Sequence, residues 1–142
     1  MPDRTSISMG PIIEWRGAFG NAELNLLHEE GFGPRSGDED GWGRVNRHSL
    51  GWVCMRHSGR LTGFANIAWD GGVHAFLLDT LVATGLRRGG LATAMVREAI
   101  RQAQAAGCEW LHVDFEPHLR GFYLDRCGFS QTAAGLISLR QI

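Results

Sequence analysis

Leu81-Val82-Ala83-Thr84-Gly85-Leu86-Arg87-Arg88-Gly89-Gly90-Leu91-Ala92-Thr93-Ala94-Met95-Val96 carries the change of pattern that decides the fold. The strand formers of Val73 to Val82 stop at Ala83-Thr84-Gly85-Leu86. Beyond the glycines, Leu91, Met95, Val96, Ala99, Ile100 and Ala103 recur at helical spacing, opposite Arg97, Glu98, Arg101 and Gln104. This spacing predicts an amphipathic helix that Gly107 ends. A strand that passes through a glycine-containing loop into a helix presents amide N–H groups at the helix mouth, where an anion is favoured. The macrodipole contributes only ~0.3–1 kcal/mol per charge, so a pyrophosphate also needs direct bonds. Gly89 and Gly90 expose the backbone for them, and Arg87 and Arg88 add charge-assisted ones.

Upstream, Leu50 to Arg56 and Leu61 to Trp69 read as strands joined by the turn His57-Ser58-Gly59-Arg60, and Asp70-Gly71-Gly72 leads into the third strand. Earlier still, Ile12 to Trp15 is a short strand, and Asn21 caps a helix running to His28. Gly31 to Gly43, with five glycines, one proline and an acidic cluster, reads as a loop or broken short helices, either a solvated connection or a lid over a site. Downstream, Trp110 to Phe115 is a strand, His118 to Arg126 a short helix, and Phe129 to Leu139 closing strand material.

The 142 residues, 44% hydrophobic and 20% charged, have the size of a single domain, 1–142, with one core. With 14 basic residues against 15 acidic, no global positive field exists to hold nucleic acid, so an anion must be caught locally. All 14 basic residues are arginine, which rules out a G-x-x-x-x-G-K-[ST] phosphate loop. Cys54, Cys108 and Cys127 are odd in number and widely spaced, suggesting neither a disulfide framework nor a zinc knuckle. The start lacks an apolar leader core, and no stretch approaches the ~20 apolar residues of a membrane span, so a soluble, cytoplasmic protein is expected.

The residues resemble the GNAT superfamily of N-acetyltransferases. There the loop reads Arg/Gln-x-x-Gly-x-Gly/Ala after a strand ending in valine; this chain has Arg87, Gly90 and Ala92, with Val82 five residues ahead. The likeness runs from about Leu50 to Leu139. It implies an α/β (α+β) domain: a mixed, mostly antiparallel sheet of six or seven strands, helices on both faces, splayed between the fourth and fifth strands. It also implies acetyl-CoA as co-substrate, with its pyrophosphate at Arg87, Arg88, Gly89, Gly90, Leu91 and Ala92 and its pantetheine amides along Leu81, Val82 and Ala83. Edge-strand pairing into a homodimer is common in that family, and the residues leave it open.

Acyl transfer to an amine needs a base, because an alkyl amine of pKa ~10.4 costs about 4–5 kcal/mol to deprotonate at pH 7. The departing thiolate needs a proton, which a tyrosine near the sulfur supplies. By the resemblance Tyr123, the single tyrosine, is that acid. The family places three residues between this tyrosine and the glycine of Gly-Phe, whereas four intervene before Gly128 here. A bulge or tightened last turn has to absorb the extra ~100°. The usual asparagine seven residues before the tyrosine is replaced by Glu116. Asp79, Asp114 and Glu116 stand as alternatives for the base. His112, Asp114 and His118 match no established ligand spacing, so no metal is expected. The acceptor expected is a small primary amine, for which Trp15, Trp42, Trp52 and Trp69 and several acids offer an acceptor region; the alternative function is a non-catalytic acetyl-CoA sensor or docking module.

Overall fold

The computed structural model describes residues 10–33, 39–86 and 90–140. In chain order they form β1 (Ile12–Trp15), α1 (Asn21–Phe32), α2 (Gly41–His48), β2 (Ser49–His57), β3 (Arg60–Trp69), β4 (His74–Val82), α3 (Leu91–Ala105) and β5 (Trp110–Val113). A 3-10 turn at Pro117–Leu119 and a π-helical turn at Gly121–Arg126 follow.

The strands lie in the order β1-β2-β3-β4-β5, antiparallel until β5, which runs parallel to β4 because α3 carries the chain back across the sheet. Alternation along the strands sorts side chains into two cores, one on each face. Val53, Met55, Ala65, Ile67, Ala75 and Leu77 meet Met95, Val96, Ala99 and Ala103 of α3. On the other face Trp52, Cys54, Phe64 and Leu81 meet Leu24, Leu27 and Val45 of α1 and α2. Phe19, Trp42, Trp52 and Phe64 interlock edge to face at 5.1–6.1 Å between ring centres. Trp52, 2% exposed and donating its indole N–H to the Gly17 carbonyl at 2.7 Å, is therefore core and not available to an acceptor.

The expectation of mixed, mostly antiparallel sheet with helices on both faces holds, with five strands among the described residues where six or seven were expected. Phe129 to Leu139 forms no strand: Gln131 to Gly135 is rich in alanine and glycine, poor strand formers. The edge strands of the sheet, β1 and β5, are each only four residues long. Leu136, Ile137 and Leu139 stay exposed.

Two more differences come from capping. Asn21 is the first residue of α1, not its cap. Its side chain reaches across to α2, accepting from the Trp42 amide at 2.8 Å and donating to Asp40 at 3.0 Å. Asp40 in turn caps α2 through the Gly43 amide at 3.0 Å. These bonds hold a helix in a stretch whose glycines argue against one. Gly41 is also where α2 rides on α1, since a Cβ there would lie 2.7 Å from a Leu24 methyl.

Candidate active site

One extra residue in β4 builds the site. Asn66 faces Leu78 and Phe64 faces Leu81, so Ala65 alone opposes Asp79 and Thr80. Asp79 takes a left-handed φ of 51°, a conformation that costs on the order of 1–3 kcal/mol. The bulge inverts the facing of the strand: Ala75 and Leu77 point to the α3 core, whereas Leu81 and Ala83 join the α1/α2 core. Thr80 and Val82 consequently face the α3 side.

β5 leaves at the same place. Its pairing with β4 runs only from His74↔Trp110 to Leu77↔Val113, while β4 continues to Val82. The sheet thus splays between its fourth and fifth strands. The Ala83 amide donates to the Thr62 carbonyl at 2.8 Å, so by alternation the N–H and C=O of Val82 point away from β3, toward the opening.

Beyond β4 the chain enters α3 through Gly90, whose φ of 74° suits glycine and around which a Cβ would meet nothing within 4 Å. The first intrahelical bond is from the Ala94 amide to Gly90, so the Leu91, Ala92 and Thr93 amides open the helix ahead of it. Arg87, Arg88 and Gly89 lie outside the described residues. The residues that are described fit a pyrophosphate: backbone donors at a helix start, with open space where a side chain would intrude.

Tyr123 lies at the opening. It is 7% exposed, stacked on Phe115 at 5.1 Å and flanked edge-on by Phe122 at 4.8 Å and Phe129 at 5.9 Å. Burial raises its phenol pKa, and a side-chain hydrogen bond with Thr80 partly offsets that. The extra residue before Gly128 is absorbed by widening: the Cys127 amide reaches the Phe122 carbonyl at 3.0 Å, a π-type bond, and Gly128 turns left-handed at φ 85°.

Asp79 faces the other layer. With Leu24, Asn25, His28, Glu39, Arg44 and neighbours it lines a cavity of about 10 Å³, room for one water. Arg44 of α2 donates from Nη2 to the Asp79 carboxylate at 3.3 Å, and the Arg44 Nε is buried without a hydrogen-bond partner. Neither Arg44 nor Thr80 stood out in the sequence, where one follows a glycine-rich stretch and the other lies within a strand. Glu116 and Asp114 are exposed beyond or at the end of β5, Glu116 as the cap of the 3-10 turn. His74 and His112 make a contact of 2.8 Å between ring nitrogens, with Phe76 stacked on His112.

Among the described residues no group of three histidine, cysteine or acidic side chains is placed to hold a metal, and no helix is long and apolar enough to cross a membrane. Burial pushes the Cys54 thiol up to about 12, which leaves it without thiolate character at neutral pH.

Comparison with known proteins agrees with this architecture. The model of the Acetyltransferase (GNAT) family matches residues 19–129. A mycothiol acetyltransferase of Nocardia farcinica is 38% identical over 62 residues, 44% of this chain but only 20% of that protein, so the match spans about a fifth of the relative's length. A GNAT family acetyltransferase of Streptococcus pneumoniae superposes with a TM-score of 0.75 at 17% identity, over 92% of this chain and 98% of the other. AAC(6')-Iy in complex with a bisubstrate analogue, CoA-S-monomethyl-acetylneamine, superposes with a TM-score of 0.73 at 17% identity, over 92% of this chain and 97% of that one.

Proposed function

The chain belongs to the Acetyltransferase (GNAT) family, and from that premise we propose that it is an N-acetyltransferase that moves an acetyl group from acetyl-CoA to a small-molecule amine by direct attack. The observation that carries this reading is the single bulge in β4, which turns Asp79 toward the α1/α2 pocket and Thr80 toward Tyr123. Acetyl-CoA supplies an activated thioester. The α3 mouth at Gly90, Leu91 and Ala92, together with Arg87, Arg88 and Gly89, holds its pyrophosphate. The β4 edge past Leu77, at Leu81, Val82 and Ala83, aligns its amide arm as an added strand would lie.

Asp79 takes the proton of the attacking amine, directly or through one water. As the nitrogen bonds to the acyl carbon and the carbon–sulfur bond breaks, Tyr123 protonates the departing sulfur. A raised phenol pKa keeps Tyr123 protonated and able to donate at neutral pH. Positioning of the two reactants supplies much of the acceleration, and no cysteine is needed as a nucleophile. Glu116, on the outer lip beyond β5, is the second carboxylate within the reading and acts at longer range.

A thiol-release assay with acetyl-CoA across small amines, peptides and aminoglycosides tests the proposal. Release of free CoA with at least one small amine is expected. Tight acetyl-CoA binding with no release from any acceptor would reassign the protein to a sensor or docking role; release with peptides alone would reject the small-molecule acceptor.

A further inference from the structure

We propose that the acceptor carries an anionic group, a carboxylate or phosphate, close to its amine, and that Arg44 is the residue that selects it. The inference rests on the reading of Asp79 as the base and concerns the same pocket.

Arg44 and Asp79 close that pocket. Their ion pair at 3.3 Å leaves a cavity of about 10 Å³, enough for a water and too small for an amine with its carbon frame. An amine that enters this cavity to reach Asp79 has to part it from Arg44. Arg44 is 42% exposed and Asp79 29%, so releasing the guanidinium costs less than in a fully buried pair, yet its covered part keeps a desolvation penalty and loses the attraction that offset it. The Arg44 Nε is already buried without a hydrogen-bond partner, so one donor of the fork is unspent before any acceptor arrives.

An anionic group on the acceptor resolves both problems. It accepts from Nε and a terminal nitrogen of Arg44 in the planar two-point geometry that guanidinium offers carboxylates and phosphates. Meanwhile the ammonium replaces Arg44 at Asp79. The exchange conserves charge: a +/− pair opens and a −/+ acceptor fills it. Glu39, the other carboxylate of the lining, is exposed at the rim, where solvent screens it from an incoming anion. A purely cationic amine gives Asp79 a new partner but leaves Arg44 with none.

Matched acceptors test this. Phosphoethanolamine against ethanolamine, and β-alanine against β-alaninamide, are compared by kcat/KM for the wild-type protein, Arg44→Gln and Arg44→Lys. The wild type should favour the anionic member of at least one pair by about tenfold or more, the two pairs separating phosphate from carboxylate. Arg44→Gln should bring that ratio toward one, chiefly through a raised KM for the anionic member. Arg44→Lys, which keeps charge and loses the fork, should fall between. Equal use of both members by the wild type, or a loss in Arg44→Gln shared equally by both, overturns the inference and leaves Arg44 as a tie between α2 and β4.

Should no amine release CoA, the proposed reaction fails, yet the anion site can still be judged. Protein labelled with nitrogen-15 arginine is titrated with phosphoethanolamine and with β-alanine. A shift of the one Nε–H signal missing from Arg44→Lys supports the site, and an unmoved signal rejects it.

Discussion

The amide of Phe129 donates to the carbonyl of Tyr123 at 3.0 Å, six positions back, so the turn that carries the proposed acid is one residue wider than an α-helical ending. That widening keeps the phenol buried against Phe115 and beside Thr80 in spite of the additional residue. Tyr123→Phe removes only the hydroxyl and keeps the ring packing. It should lower kcat by about a hundredfold and leave acetyl-CoA binding nearly unchanged, as steady-state kinetics beside calorimetry would read. An unaltered kcat would return Tyr123 to the core.

The two carboxylates differ in setting, and their substitution should separate them. Asp79→Asn is expected to reduce kcat by about a hundredfold, because it removes the base while keeping a side chain that tolerates the left-handed φ. Glu116→Gln, at an exposed turn, should cost less than about tenfold. The reverse ranking would move the base to the outer lip.

Gly90→Glu should weaken acetyl-CoA binding by at least about tenfold, since it puts a side chain and a negative charge where the helix mouth receives phosphate. The left-handed φ of 74° adds a stability cost of order 1–3 kcal/mol, to be measured separately by urea unfolding. Affinity equal to wild type in a folded Gly90→Glu would place the coenzyme elsewhere.

Away from the site, Arg56 of β2 donates two bonds to the Glu23 carboxylate of α1, at 3.0 and 2.6 Å, and the Gly20 amide donates a third at 2.8 Å. The hydrogen bond from Arg56, more than any other contact, holds the Glu23 carboxyl below its ordinary 4.5. A depressed acid stabilises the fold above its unfolded pKa and loses that contribution as pH falls through the folded value. Glu23→Gln should therefore cost about 1 kcal/mol at neutral pH, a figure already reduced for the solvent exposure of the pair. The difference from wild type should fade as the pH drops below about 4.5 in urea midpoints. A difference constant with pH would show that shape, not charge, makes the contact.

The regular elements were legible because each announces itself locally. α3 starts at Leu91 and ends just before Gly107, whose φ is 91°, as the apolar spacing and the glycine predict. The three central strands fall within a residue of the expected limits. What escaped depends on partners distant in sequence. Gly41 to His48 has weak helical propensity and becomes α2 through Asn21, nineteen residues before Asp40, and through the seat against Leu24. The bulge at Asp79 has no sequence marker, since a non-glycine residue at positive φ is held by the strands around it. Arg44 gains meaning only when α2 exists to aim it.

The displaced register at Asp79 also separates two kinds of freedom within one strand. Substitutions at Ala75 or Leu77 are felt under α3, where they threaten the molecule's persistence; those at Asp79, Leu81 or Ala83 are felt in the other layer, where they reshape what the pocket admits. Natural variation can therefore explore new acceptors along the second half of β4 while the first half stays constant. Removing the one extra residue would restore regular pairing and leave Leu81 opposite Phe64, in the same layer as before, while taking away the left-handed turn that presents Asp79.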